Sequence, residues 1–141
     1  MSKRDFKRIA IPLSKFGVDI KLNKNYGLPL VISGTKNLKP IRYFEKKGSA
    51  QVKSSILLAG MKTDGKTIIK AKVSRNHTEA LFKHLKLPIK IKKKKNFDLI
   101  EINKVKKINP LNYKIPSDIS SASFFIVLTA LTKNSELIVE N

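Results

Sequence analysis

Cysteine is absent from the 141 residues, and so is tryptophan. Without thiols there is neither a disulfide framework nor a cysteine-ligated zinc site. No apolar run approaches the ~18 residues that a membrane helix requires, so no membrane association is expected. The basic start, MSKRDFKRIAIPL, lacks the continuous apolar stretch of a signal peptide, which makes the cytoplasm the expected location. Acidic residues are scarce as well: 10 Asp and Glu face 30 Lys and Arg, a formal net charge of +20. That excess invites a nucleic-acid reading, but only Arg4, Arg8, Arg42 and Arg75 are arginines. Nucleic-acid readers favour the planar fork of arginine, and no aromatics stand among the lysines to stack on bases. Lysine, isoleucine and asparagine share A- and T-rich codons, so genomic bias accounts for the charge, and no specific nucleic-acid partner is expected.

What is present suits one ordinary domain. A hydrophobic fraction of 41% argues for a packed core rather than disorder. Phe6, Ile9, Leu13 and Phe16 recur at helical steps, with Pro12 interrupting and Gly17 placed to end the helix. GVDIKL, LPLVISG and PIRYF read as short strands. Ser49 opens a second helix whose apolar side carries Val52, Ile56 and Ala59, widened by Leu57 and Leu58. TIIKAKV is a β-branched strand. RNHTEALFKHLKLP is a helix with a capping-box pattern, Asn76 and Glu79, and a buried stripe of Leu81, Phe82 and Leu85. IKIKKKKNFDLIEI predicts two strands around an exposed turn at Lys92–Lys95, because four desolvated ammonium groups would be too costly. INPLNYKIP is a connector or strand, DISSASFFIVLTAL a further helix with Asp118 as its N-cap, and ELIVE a last strand. GSAQVKSSILLAGMKTDGKTIIK and DISSASFFIVLTALTKNSELIVE share a plan, which points to an α/β fold assembled from copies of one unit. Both ends read as abrupt, as in a fragment.

The stretch KKGSAQVKSS carries the chemical question. A helix start presents unpaired backbone N–H groups and a partial positive charge, which suit an anion. Ser49 and Gln51 add a hydroxyl and an amide, Gly48 allows close backbone approach, and Ala50 keeps the site small. The simpler alternative is that Ser49 only caps the helix. Lys53 is expected to be solvated, and His77 and His84 to be structural or solvated.

SAQVKSSILLAG, then SRNHTE, then PSDISSASFF, in that order, resemble 5-enolpyruvylshikimate-3-phosphate synthases, and the SAQVKS and Arg-x-His-Thr-Glu forms are most similar to the bacterial class II branch. MSKRDFKRIAIPLSKFGV resembles the family's Lys-Arg-Pro segment, with Asp5 where the family has proline. The resemblance implies an α/β fold of two similar domains, each assembled from βαβαββ units, with substrates in the cleft between them. Residues 1–115 would be the later part of the first domain and 116–141 the start of a unit of the second. It implies that Ser49, Ala50, Gln51 and Arg75 bind shikimate-3-phosphate, and that Arg4 and Gln51 bind phosphoenolpyruvate. The Asp118 segment would approach the cleft. The implied reaction transfers the enolpyruvyl group to the 5-hydroxyl of shikimate-3-phosphate and releases phosphate, and it calls for no metal or organic cofactor. The proton-transfer residues would lie outside this stretch, leaving it with no catalytic residue and inactive alone, while the full-length enzyme would be a monomer. The sister transferase acting on UDP-N-acetylglucosamine is the alternative within the same fold, and a basic nucleic-acid-binding module the alternative of another class.

Overall fold

The computed structural model describes residues 5–140, which fall into two compact units, one ending at Asn109 and one beginning at Pro110. The first unit begins with α1 (Lys7–Lys15), whose opening N–H at Lys7 is accepted by the Asp5 carboxylate at 2.7 Å. Pro12 is buried within this helix, and the chain leaves it at Gly17, whose φ of +97° is open to glycine and strained for other residues. An antiparallel hairpin follows, β1 (Asp19–Leu22) against β2 (Leu30–Ser33), with Asp19 opposite Ser33 and Leu22 opposite Leu30. Its loop is tied by Asn23, whose side-chain oxygen accepts from the backbone N–H of Asn25 and Gly27.

The remainder of this unit runs β3 (Arg42–Glu45), α2 (Ala50–Gly60), β4 (Thr67–Lys72), α3 (His77–His84), β5 (Ile89–Lys93) and β6 (Phe97–Ile102). That is a βαβαββ order. The strands form one sheet in the order β3-β4-β6-β5, with β3 and β4 parallel and the other pairs antiparallel. The parallel pair needs a crossover, and α2 supplies it. Burial alternates along β4 and β6: Thr67, Ile69, Ala71, Asp98, Ile100 and Ile102 point inward. Against them pack Ile56 and Leu57 of α2, with Phe82 of α3 and Phe16 in the same core. On the opposite face Lys70 lies over the rings of Phe44 and Phe97, at 4.8 and 4.4 Å.

Several sequence expectations are corrected. Asn76 makes no side-chain cap, and Glu79 is buried rather than reaching back to it, so there is no capping box. Leu81 is 43% exposed, because the buried side of α3 runs through Glu79 and Phe82 instead. Leu58 also faces outward, since Val52, Ile56 and Leu57 already fill the side of α2 that meets the sheet. Lys92–Lys95 are exposed as expected.

The second unit contains α4 (Ile119–Leu131), opened by Asp118, whose carboxylate accepts from the Ser120 N–H and the Ser121 hydroxyl, each at 2.9 Å. These two bonds, the Ser121 hydroxyl foremost, hold the Asp118 carboxyl below its ordinary value. The helix is apolar on all sides, yet none of its residues is buried. ELIVE forms no strand, and neither does INPLNYKIP. A strand exists only through a neighbour's backbone, and residues 110–140 contain no other strand.

Candidate functional site

Two helices start at the carboxyl ends of the two parallel strands: α2 after β3, and α3 after β4. In open α/β sheets this is where ligands bind, because helix N-termini and loops converge there. The turn into α2 is folded by Glu45, whose two carboxylate oxygens accept from the N–H of Lys47 (3.0 Å) and Gly48 (2.7 Å). Gly48 has φ +73°, and a Cβ there would stand 3.3 Å from the carbonyl oxygen of Val73. A side chain here would press the two loop backbones apart by a few tenths of an ångström, and the positive φ favours glycine as well.

Ser49 is the N-cap of α2, with extended φ and ψ, and its Oγ accepts from the Val52 N–H at 3.3 Å. The cap uses an acceptor lone pair, so the hydroxyl proton is left to donate outward. Helix geometry leaves the N–H groups of Ala50 and Gln51 without intrahelical acceptors. Capping and anion seating are thus compatible functions of one residue.

Gln51 is exposed, and its Oε1 accepts from Arg8 Nη2 at 2.8 Å. A guanidinium can only donate, so this contact fixes the oxygen of the amide toward Arg8 and turns the NH2 group elsewhere. Arg8 was not singled out from the sequence. Its position on α1 and facing Gln51 depends on how α1 meets α2, which no local pattern reveals.

Arg75 is exposed, and the loop that carries it is held from α2. Lys53 Nζ donates to the Arg75 carbonyl at 3.0 Å and pairs with Glu79 Oε1 at 2.6 Å, both side chains almost wholly buried. This overturns the solvated Lys53 expected from the sequence: a buried ammonium is tolerated when a carboxylate and a carbonyl meet it. A second tie joins Ser54 Oγ and Thr78 Oγ1 at 2.6 Å. Because Ser54 donates to the Ala50 carbonyl, Thr78 supplies the proton between the hydroxyls.

Two depressions meet at these residues. The larger, about 670 Å³, is bordered by Arg8, Tyr43, Lys46, Ser49, Gln51 and Arg75, with Asp5, Lys7, Glu45 and Lys47 among its rim. The smaller, about 460 Å³, is bordered by Ala50, Gln51, Ser54, Arg75, His77 and Thr78. Gln51 and Arg75 border both. Cations outnumber carboxylates around the larger one, and Glu45 has its oxygens engaged by backbone N–H groups. Partial burial, with the Glu45 charge adding to it, raises the Tyr43 hydroxyl above its ordinary value, so it remains a neutral donor. The structure therefore brings Ser49, Ala50, Gln51 and Arg75 together, and Arg4 lies outside the described residues. His77 and His84 are exposed, as the sequence suggested. Among the described residues no group of three or more metal-ligating side chains occurs, and no helix is long and apolar enough to cross a membrane.

The family model for EPSP synthase (3-phosphoshikimate 1-carboxyvinyltransferase) matches residues 1–141. The chain belongs to that family. It is 43% identical over its whole length to the 3-phosphoshikimate 1-carboxyvinyltransferase of Caldicellulosiruptor bescii and 41% identical to that of Streptococcus agalactiae, spanning 33% of each. An EPSP synthase structure from Acinetobacter baumannii superposes with a TM-score of 0.72 at 38% identity, covering 95% of this chain and 30% of that one. An enolpyruvyl transferase from Streptomyces tendae, 16% identical with a TM-score of 0.50, shares the fold over 74% of this chain. The βαβαββ sheet is thus an incomplete part of the EPSP synthase α/β fold, and the chain spans about a third of the length of the curated relatives it matches.

Proposed function

We propose that this chain supplies one wall of the substrate cleft of an enzyme that transfers the enolpyruvyl group of phosphoenolpyruvate to the 5-hydroxyl of shikimate-3-phosphate. The observation that carries the reading is the first turn of α2: Ser49 and Gln51 border the larger depression and Ala50 and Gln51 the smaller, and Arg75 borders both. Ser49, Ala50, Gln51 and Arg75 hold shikimate-3-phosphate. Gln51, which borders both depressions, reaches phosphoenolpyruvate as well, together with Arg4.

In the reaction the vinyl carbon of phosphoenolpyruvate takes a proton and the 5-hydroxyl attacks the adjacent carbon, losing its own proton. The tetrahedral adduct then expels phosphate and loses a methyl proton, restoring the vinyl group. Both substrates are multiply anionic, so what this wall contributes is converging donors and positive charge at fixed distances. None of the described residues is assigned the proton transfers, so the chain is inactive alone. Residues 1–115 are assigned to the later part of the first domain and 116–141 to the start of a unit in the second, in a cytoplasmic enzyme that is monomeric at full length.

Titrating the chain with shikimate-3-phosphate, followed by NMR, tests the reading. Saturable shifts at Ser49–Gln51 and Arg75, weakened about tenfold or more in Gln51→Ala, support it. Binding of DNA alone, steeply salt-dependent and indifferent to sequence, would replace it with nonspecific charge. A preference for UDP-N-acetylglucosamine over shikimate-3-phosphate would move it to the sister transferase, and phosphate release from both substrates by this chain would contradict its inactivity.

A further inference from the structure

We propose that Lys53 is a positioning residue: with Glu79 it forms a buried strut that fixes Arg75 over the first turn of α2. The inference rests on the reading of Ser49, Gln51 and Arg75 as the shikimate-3-phosphate seat.

The loop between β4 and α3 has little local support. Asn76 makes no side-chain cap, and its φ and ψ of −119° and 26° are not those of a usual N-cap. What holds the loop comes from another helix. The Lys53 ammonium donates to the carbonyl of Arg75 itself, at 3.0 Å, and is anchored 2.6 Å from Glu79 Oε1 in the first turn of α3. One cation therefore grips the loop at the arginine and at the helix that follows. Gln51 and Lys53 are two residues apart on α2, which places them about 200° apart around the helix. The same turn thus offers Gln51 to the ligand on its outer side and holds the backbone of Arg75 on its inner side.

Stability is a poor reason for such a pair. Burying two charges costs several kcal/mol each, and an apolar pair of similar volume often serves as well or better. The polar cluster is also incompletely satisfied, since Glu79 Oε2 and Ser74 Oγ are buried without a partner. Geometry is what this arrangement gains: an ammonium at this point sets the separation between the arginine backbone and the anion seat, which an apolar contact leaves undefined.

The test compares the 141-residue chain with Lys53→Arg and with the paired replacement Lys53→Met/Glu79→Leu. It reads thermal unfolding, amide hydrogen exchange at residues 74–77, and NMR titration with shikimate-3-phosphate. The paired replacement is expected to keep the melting temperature within a few degrees, to speed exchange at 74–77 selectively, and to weaken binding about tenfold. Lys53→Arg retains the charge but not the reach, so it is expected to keep the fold and still weaken binding several-fold. Unchanged exchange at 74–77 and unchanged affinity in whichever variants fold overturn the strut, reducing Lys53 to a filler of the core. If the unmodified chain binds no shikimate-3-phosphate, the reading of the site fails, while the exchange rates at 74–77 still decide whether Lys53 holds the loop.

Discussion

Ser49 is one residue with two chemical faces, a lone pair turned into the helix and a proton turned out of it. Ser49→Ala removes both. Loss of the cap is expected to cost about 1 kcal/mol in urea unfolding, the usual range for such caps being about 0.5–2. Loss of the outward proton is expected to weaken shikimate-3-phosphate further than stability alone explains, and Ser49→Gly separates the two because glycine is itself a tolerated cap. The cap was legible in the sequence because it depends on neighbours three residues away. Lys53 was not. Among the exposed Lys92–Lys95 and the buried Lys53 the side chain is the same, and only the arrival of Glu79 and the Arg75 carbonyl from another element makes burial tolerable.

Elements were legible where a local period governs them. The spacing of Phe6, Ile9, Leu13 and Phe16 gave a helix that is there, and IKIKKKKNFDLIEI became the β5–β6 hairpin. The failures are contacts that spacing imitates: Asn76 and Glu79 have capping-box separation, but Glu79 is drawn inward by Lys53. Packing also explains a glycine that the sequence left unremarked. Gly60 ends α2 where an added Cβ would lie 2.7 Å from Ile102 Cγ2 and 3.1 Å from Thr67 Cβ, both on fully buried residues. Gly60→Ala gains at most about 1 kcal/mol of helix propensity, and less at a last turn. The clash is expected to prevail, lowering stability by about 1–3 kcal/mol in denaturant unfolding. At α4 the Asp118 carboxyl is held below its ordinary 3.8, so its cap is complete above that pH and is lost as pH falls through the lowered value. An NMR titration of the Asp118 carboxyl is expected to give a midpoint under 3.8.

On the scale of the whole molecule, every residue bordering the two depressions lies before Asn109. A chain ending at Asn109 is therefore expected to show the same shikimate-3-phosphate shifts at Ser49, Gln51 and Arg75 as the full 141 residues. Loss of those shifts on truncation would show that the second unit is needed for the seat. That unit is of another kind. Phe124 is 78% and Leu131 81% exposed on a helix apolar all round, a composition that elsewhere belongs to buried helices. Among the described residues, the candidate site gathers at the carboxyl end of the parallel pair β3 and β4, where α2 and α3 begin.

By itself the sequence determined the βαβαββ succession and the capped start of α2, which rest on residues close together in the chain, and the family, which rests on short motifs and their order along it. Tertiary structure alone decided that Arg8 faces Gln51, that Lys53 is buried beneath Arg75, and that ELIVE stays unpaired. Those outcomes depend on groups brought from distant positions, where desolvation, ion pairing and strand partnership are settled only once the elements have packed.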